Sequence, residues 1–482
     1  MRPTLHSLLG AALLSPVLAS AQATAPLPPE LRQLLQRMER LEKENQQLRE
    51  RLDALAPSTD RRLQALEDAQ QQTDKALNTE RLSEQEPELV TRLKAVEFQS
   101  LAMQKQARQI EALEGVSVAA SLAGVLQAAP AASLDGGKAQ SRLNYRGDVS
   151  VGVPAGRLND IEGRLFAHVR LGQGEGLALR DSLAGSANAI AFQTQAGAAD
   201  SFAVLAQAWY QLTVPLPRDH GQAKAREQLE ITVGKMDPFL FFDQNAIADD
   251  ETARFQNKVF VHNPLLDAGG DIGGDAYGFT PGLRLAYGAQ PDRATGWSAS
   301  LGVFAAGEAA GFGKGLGRPL LLAQLDTHRR LWAGLPGNYR VYAWRNGQAR
   351  EHEGSPAVHA GWGASLDQRL GDDWTGFLRY GHQLKGSPRV DRALTLGLEL
   401  DGRRWGRGAD GLGLAAAWLH GAEAWRRSQG AGAQEQVWEL FYRYQLNDKV
   451  QITPDLQWIR HSLAQAGSPA IRVWGLRARV GL

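Results

Sequence analysis

The 482-residue sequence predicts an all-β transmembrane barrel of about sixteen antiparallel strands, preceded by an α-helical coiled-coil segment. Three observations predict it. First, residues 435–482 alternate in character. Trp438, Leu440, Tyr442 and Tyr444 fall on one face, and Glu439, Arg443 and Gln445 on the other. After Asn447-Asp448-Lys449, Val450, Ile452, Leu456 and Trp458 oppose Gln451, Thr453, Asp455 and Gln457. After Gly467-Ser468-Pro469, Trp474, Leu476, Ala478, Val480 and Leu482 oppose Arg477 and Arg479. Aromatics near the ends of the apolar face, with charges on the other, are what lipid outside and water inside demand of a strand. Second, residues 1–21 read as a secretory signal: Arg2 and His6, an apolar run over residues 8–18 interrupted by Pro16, then Ala19-Ser20-Ala21. Third, no later stretch supplies the roughly 18 consecutive apolar residues of a spanning helix. An exported chain of this kind can still cross a membrane as a closed barrel, because closure satisfies every backbone hydrogen bond.

Composition agrees. The 52 glycines and 12 tryptophans suit glycine-punctuated strands with interfacial aromatics. The absence of cysteine excludes disulfides, thiolate metal sites, thiol nucleophiles and a lipoprotein anchor. A formal net charge of +1 gives no bulk attraction to nucleic acid, which is not expected as a partner.

In chain order, residues 22–29 form a proline-rich spacer. Residues 30–115 read as a coiled-coil stalk, beginning with a seam through Leu31, Leu34, Met38, Leu41, Asn45, Leu48, Leu52 and Leu55. The three-four spacing is a heptad, and Asn45 in the seam sets register and oligomer state at a cost in stability. Pro57 stops the helix and Ser58-Thr59-Asp60 caps a restart. A weaker seam at Leu63, Leu66, Thr73 and Leu77 breaks at Glu86-Pro87, and Leu89, Leu93, Val96, Ser100, Met103, Ala107 and Ile110 restore it. Polar residues around the other faces favour self-association over a lone helix docked on its own domain.

Beyond Gly115 the period changes from heptads to alternation, and residues 116–482 read as the barrel. Strands are predicted to begin at Val116, Ser141, Leu158, Phe202, Gln228, Tyr277, Gly296 and Pro319, then at Asn338, Val358, Asp373, Val390, Gly411, Gln434, Lys449 and Ala470. An even count returns both ends of the barrel to one side, the periplasm, where the stalk is placed. Two inter-strand segments are long, residues 173–201 and 236–276, and long loops in such barrels are extracellular and can fold inward. About sixteen strands are expected to leave an aqueous lumen rather than a filled core.

Three stretches resemble the carbohydrate-selective porins of the OprB type. One runs from Gly234-Lys235-Met236-Asp237-Pro238 through Phe242-Asp243-Gln244-Asn245-Ala246 to Arg254-Phe255-Gln256-Asn257. The second is Trp362-Gly363-Ala364-Ser365-Leu366-Asp367-Gln368 through Phe377-Leu378-Arg379-Tyr380-Gly381. The third joins Glu439-Leu440-Phe441-Tyr442-Arg443-Tyr444 to Thr453-Pro454-Asp455-Leu456-Gln457-Trp458-Ile459. The resemblance implies a sixteen-stranded, usually trimeric outer-membrane channel for neutral sugars. The helical segment is similar to that of cyanobacterial-type relatives, whose N-terminal domain binds the cell wall, so peptidoglycan is a further candidate partner. Two departures stand out: Arg460-His461-Ser462 replaces an Asn-Pro-Gly-like turn, and the chain ends on Leu482 rather than an aromatic.

Sugar passage needs no catalyst and no cofactor, only hydrogen-bonding groups around a constriction and aromatic faces for pyranose rings. By the facing above, Glu439, Arg443, Asp455, Gln457, Arg477 and Arg479 line the lumen, with Arg379 in the second stretch. Asp237, Asp243, Asn245 and Arg254, with Asp249, Asp250 and Glu251, lie on the candidate inward loop. Their spacing does not match an EF-hand, so pore-lining and capping are expected rather than a metal. Asp267-Ala268-Gly269-Gly270-Asp271-Ile272-Gly273-Gly274-Asp275 is one short calcium-type repeat and reads as a loop. Basic pairs at Arg329-Arg330, Arg403-Arg404 and Arg426-Arg427 are candidates for lipopolysaccharide phosphate or for solvated loops. No HExxH, GxSxG or phosphate-loop pattern marks an enzyme. Two rivals to a sugar porin remain at this point: a tether joining the outer membrane to peptidoglycan, and an anion-selective porin using the lumen arginines.

Overall fold

The computed structural model describes residues 115–191, 201–216, 227–266, 278–290, 295–307, 315–432 and 434–481. The chain divides into two units, Met1–Pro87 and Glu88–Leu482, and the described residues all lie in the second. The predicted leader, spacer and stalk, the Asp267–Asp275 repeat and Leu482 lie outside the described residues.

Sixteen antiparallel strands close into one barrel. They are β1 (Ser117–Ala129), β2 (Gln140–Leu158), β3 (Ile161–Gln173), β4 (Phe202–Leu216), β5 (Glu227–Met236), β6 (Thr280–Ala289), β7 (Gly296–Phe304) and β8 (Leu320–Trp332). The second half is β9 (Leu335–Arg350), β10 (Pro356–Arg369), β11 (Trp374–Lys385), β12 (Val390–Asp401), β13 (Gly411–Gly421), β14 (Gln434–Gln445), β15 (Val450–Arg460) and β16 (Ile471–Gly481). Each begins within three residues of its expected start. The ring shuts where β1 meets β16, with Ser121 opposite Gly481 and Ala128 opposite Trp474. No edge is left to hydrogen-bond, which is the condition for crossing lipid.

One end of the barrel has short connections, such as residues 159–160 and 333–334, while the other carries residues 174–201 and 237–279. Side chains sort as the period of two requires. Leu440, Leu456, Trp438, Trp458, Trp474 and Leu476 are exposed on the outside, while Glu439, Asp455, Gln457 and Arg477 point inward. Tryptophans ring the outside at both ends: Trp297 and Trp332 near the short turns, Trp438, Trp458 and Trp474 near the long loops.

The interior departs from an open aqueous lumen. Phe377, Val437, Phe441, Ile459 and Val473 also face inward and are buried in a hydrophobic cluster with Phe255, Val259, Phe260 and Leu265 of the β5–β6 connection. Leu183, Ala184 and Ala187 of the β3–β4 connection join the same cluster. Two chain segments thus fill one side of the barrel, and apolar strand residues face inward where those segments cover them.

Candidate functional site

The central feature is the stretch 237–266, which leaves β5 and folds into the barrel. It turns in at once because Asp237 caps a 3-10 turn, Pro238–Leu240, its Oδ1 accepting from the Phe239 amide at 2.9 Å. Buried Asp243, at φ +56°, is its hub. One carboxylate oxygen accepts from Arg379 Nε at 2.8 Å and Tyr342 Oη at 2.7 Å; the other accepts from the Asn263 amide at 2.6 Å. Arg379 also donates to the carbonyls of Phe260, Asp243 and Ala248 at 2.9–3.0 Å. A buried guanidinium is tolerated when its donors are used and its charge is met, and here both conditions hold.

The walls are shaped to receive the segment. Gly363 on β10 and Gly381 on β11 are register partners. A Cβ on either would lie 2.5–2.6 Å from the Asn263 amide group. These glycines of the second sequence stretch make room for the first. Further along, Asn245 donates to Ser365 Oγ and the Leu366 carbonyl. Arg254 pairs with Glu399 at 2.7 Å, and Arg443 holds the same carboxylate at 2.8 Å. Glu439 accepts from the Gln256 and Asn257 amides, Asn257 Nδ2 donates to Gln457, and Gln457 donates to the Ala187 carbonyl and to Asp455. Asn257 also caps the one-turn helix α1 (Lys258–Val261). Arg477 donates to the carbonyls of Glu251 and Arg254, and Arg479 to Thr252.

The candidate residues therefore fall into two environments. Arg379, Glu439, Asp455, Gln457 and Arg477 face inward but are at most 3% exposed, beneath the two segments. All but Asp455, which accepts from Gln457, hold backbone in place, a job the alternation pattern alone cannot distinguish from facing water. Arg443, Arg479, Asp237 and Arg254 keep partial exposure; Asp243 and Asn245 are buried anchors.

The opposite wall was missed in the sequence. On β2 and β3, Asp148 is reached by Arg146, His168 and Arg170 at 2.7–3.0 Å. Arg170 stands 5.0 Å over the Phe279 ring. Arg284 pairs with Glu230 at 2.9 Å and stands 4.7 Å over Phe241. Arg340 bridges Asp326 and Asp367. Asp148 and Arg170 keep 17% side-chain exposure, and Glu230 and Asp326 keep 22%, so this wall carries both signs of charge and aromatic faces toward the remaining space. The parity rule used for residues 435–482 finds every one of these strand residues when applied to β2, β3, β5, β6, β8, β9 and β10.

Outside the strands, Asp249 on the inward segment keeps 28% side-chain exposure at 3.2 Å from His262. Burial pushes its carboxyl up to about 6, against the pull of His262 and Arg379. At the short-turn end, burial would raise Asp410, but Arg407, Tyr442 and the Gln445 amide hold it down at about 2. Of the basic pairs, Arg403 and Arg404 meet Asp401 and Asp373 at the short-turn end, while Arg427 meets Glu423 at the long-loop end. Local acids thus engage Arg403, Arg404 and Arg427, and the pairs, lying at opposite ends, do not form one surface. Among the described residues, no group of three or more His, Asp or Glu side chains is placed to hold a metal ion.

A family model described as "Carbohydrate-selective porin, OprB family" matches residues 164–482. Among solved structures, OprB of Pseudomonas putida at high pH has a TM-score of 0.59 and 16% identity, covering 79% of this chain and 97% of that one. A mutant Rh. blastica porin has a TM-score of 0.45 and 11% identity, covering 76% of this chain and 100% of that one. No curated protein sequence matches.

Proposed function

We propose that this chain, which belongs to the OprB family of carbohydrate-selective porins, passes small neutral sugars through the space between its inward segment and the wall β2–β8. It is an outer-membrane porin. The single observation that carries the reading is the anchoring of residues 237–266 by Asp243 and Arg379, which narrows the barrel on one side and leaves paired charges and aromatic faces on the other. Paired donors and acceptors suit a hydroxyl-rich solute, which can exchange hydrogen bonds with them without bringing a net charge. Pairing also argues against an anion channel: the arginines of the open wall are matched by carboxylates, and Arg379 and Arg477 are buried.

The finer assignments extend this reading. The long-loop end faces the exterior, and the short-turn end, where β1 begins and β16 ends, faces the periplasm. The stalk of residues 30–115 lies there, and its seam through Leu34, Leu41, Asn45, Leu48 and Leu52 assembles a homotrimer and reaches peptidoglycan. The test is liposome swelling with glucose, a disaccharide and an amino acid of glucose size. Faster swelling with sugars is expected; equal rates leave a general diffusion pore, and no swelling by folded protein removes the channel. Deleting residues 30–114 is expected to leave conductance and remove envelope attachment.

A further inference from the structure

The outside of the barrel carries a feature that sugar passage does not use. Toward the long-loop ends of β11–β16, outward positions are basic where a lipid-facing surface is ordinarily neutral. They run in register: His382 opposite Arg392, Arg392 opposite His420, Gln436 opposite Arg460, and Trp458 opposite Arg472. Asp391 lies 2.6 Å from His420 and 3.5 Å from Arg392 and is shared by the two. Arg460 and Arg472 are exposed, and among the described residues neither forms an ion pair; Arg460 instead lies 5.6 Å over the Trp458 ring.

Directly below these groups the surface is concave and apolar. One groove of about 420 Å³ runs between Tyr380, Leu394, Leu396 and Trp418, with Arg392 and His420 at its upper end. A second of about 350 Å³ runs between Trp438, Leu440, Leu456, Trp458 and Trp474, with Arg472 at its upper end. An apolar channel topped by a cation at the membrane interface is complementary to an acyl chain beneath a phosphate. Basic residues at an anionic membrane surface are drawn to its phosphates.

We propose that this face binds a phosphorylated, multi-acyl lipid of the outer leaflet. Its chains lie in the two grooves, and its phosphates lie on Arg460 and Arg472 and on Arg392 with His420. The proposal rests on the outward orientation of the long-loop end given above. Two grooves on adjoining strands favour a lipid with more chains than a phospholipid carries.

The test uses the full chain, delipidated in neutral detergent and titrated with bisphosphoryl lipid A, dephosphorylated lipid A or phosphatidylethanolamine. Bound lipid is counted by native mass spectrometry, and thermal unfolding is followed in parallel. Wild type is expected to retain and be stabilised by the bisphosphoryl lipid alone. The Arg460→Gln/Arg472→Gln variant is expected to lose that preference while keeping wild-type sugar swelling, which separates this site from the channel reading. Equal retention of phosphorylated and dephosphorylated lipid by wild type would overturn the proposal. So would unchanged lipid retention in the variant, or a lipid-free variant whose only change is its oligomeric state, which would assign the face to a second copy.

Discussion

The two halves of the barrel interior are built by one rule and do different work. From β9 to β16 the inward side chains meet folded chain: Arg379, Glu439, Gln457 and Arg477 each hold backbone of residues 187–260. From β2 to β8, Arg146, Gln207 and Gln324 also reach the inward segments, but pairs such as Asp148 with Arg170 and Glu230 with Arg284 join across strands and keep contact with water. The difference shows that a lumen-facing charge is not thereby a pore-lining charge. Its role depends on what the connecting segments place over it. Removing one partner of a buried pair leaves an uncompensated charge, whereas an exposed pair is worth little, so the two walls are expected to respond to mutation in opposite ways.

The largest effect is expected at the clamp. Arg379→Leu strands the Asp243 carboxylate in the interior and should destabilise the folded barrel by about 3–5 kcal/mol, read as a fall in thermal unfolding temperature. Next is the glycine cradle. Gly381→Ala places a methyl where Asn263 sits, so the segment must shift; a larger single-channel conductance with the barrel still closed is the expected outcome. On the open wall, Arg170→Ala should alter ion selectivity, measured by reversal potential, with a smaller loss of stability than at the clamp, because Asp148 keeps Arg146 and His168.

The pH response sharpens the same contrast. Burial, helped by the neighbouring Asp243 carboxylate, pushes Asp249 up to about 6 from its ordinary 3.8, against the opposing pull of His262 and Arg379. A raised carboxyl pKa means the folded state holds the proton more tightly, so stability falls as pH rises from about 4 through 6. As pH rises through about 6 the folded passage gains this negative charge and should become more cation-selective. Asp249→Asn should flatten that part of the selectivity curve.

The smallest effect lies at the turn after β15. His461, Leu463 and Ala464 all adopt φ near +57°, with values of 56°, 58° and 58°. This is where the Asn-Pro-Gly-like turn of the family is replaced by Arg460-His461-Ser462, and a left-handed residue with a Cβ costs about 1–2 kcal/mol. His461→Gly should therefore raise stability slightly and leave conductance alone.

Most of the fold was legible because lipid outside and water inside impose a period of two that survives loop variation. Strand starts differ most, by three residues, at β3, β6 and β9, where Pro154, a long connection and a two-residue turn blur the boundary. The candidate site was legible only by halves. The alternation read at β14 and β16 passed over Phe441 and Val473, which face inward. An apolar residue on the water side of a strand is the signal that a segment covers it, and those two, with Val437 and Ile459, mark the packed wall. The open wall escaped because its charges are spread over seven strands between residues 146 and 367 and converge only on closure.

The most direct test of the central claim compares disaccharide with glucose swelling in wild type and in the Asp243→Ala/Arg379→Ala variant, which removes both buried charges together. The anchored segment is expected to make wild type favour glucose, and the variant should admit the disaccharide at nearly the glucose rate. An unchanged ratio in a variant shown to be folded and inserted would mean that residues 237–266 do not set the passage.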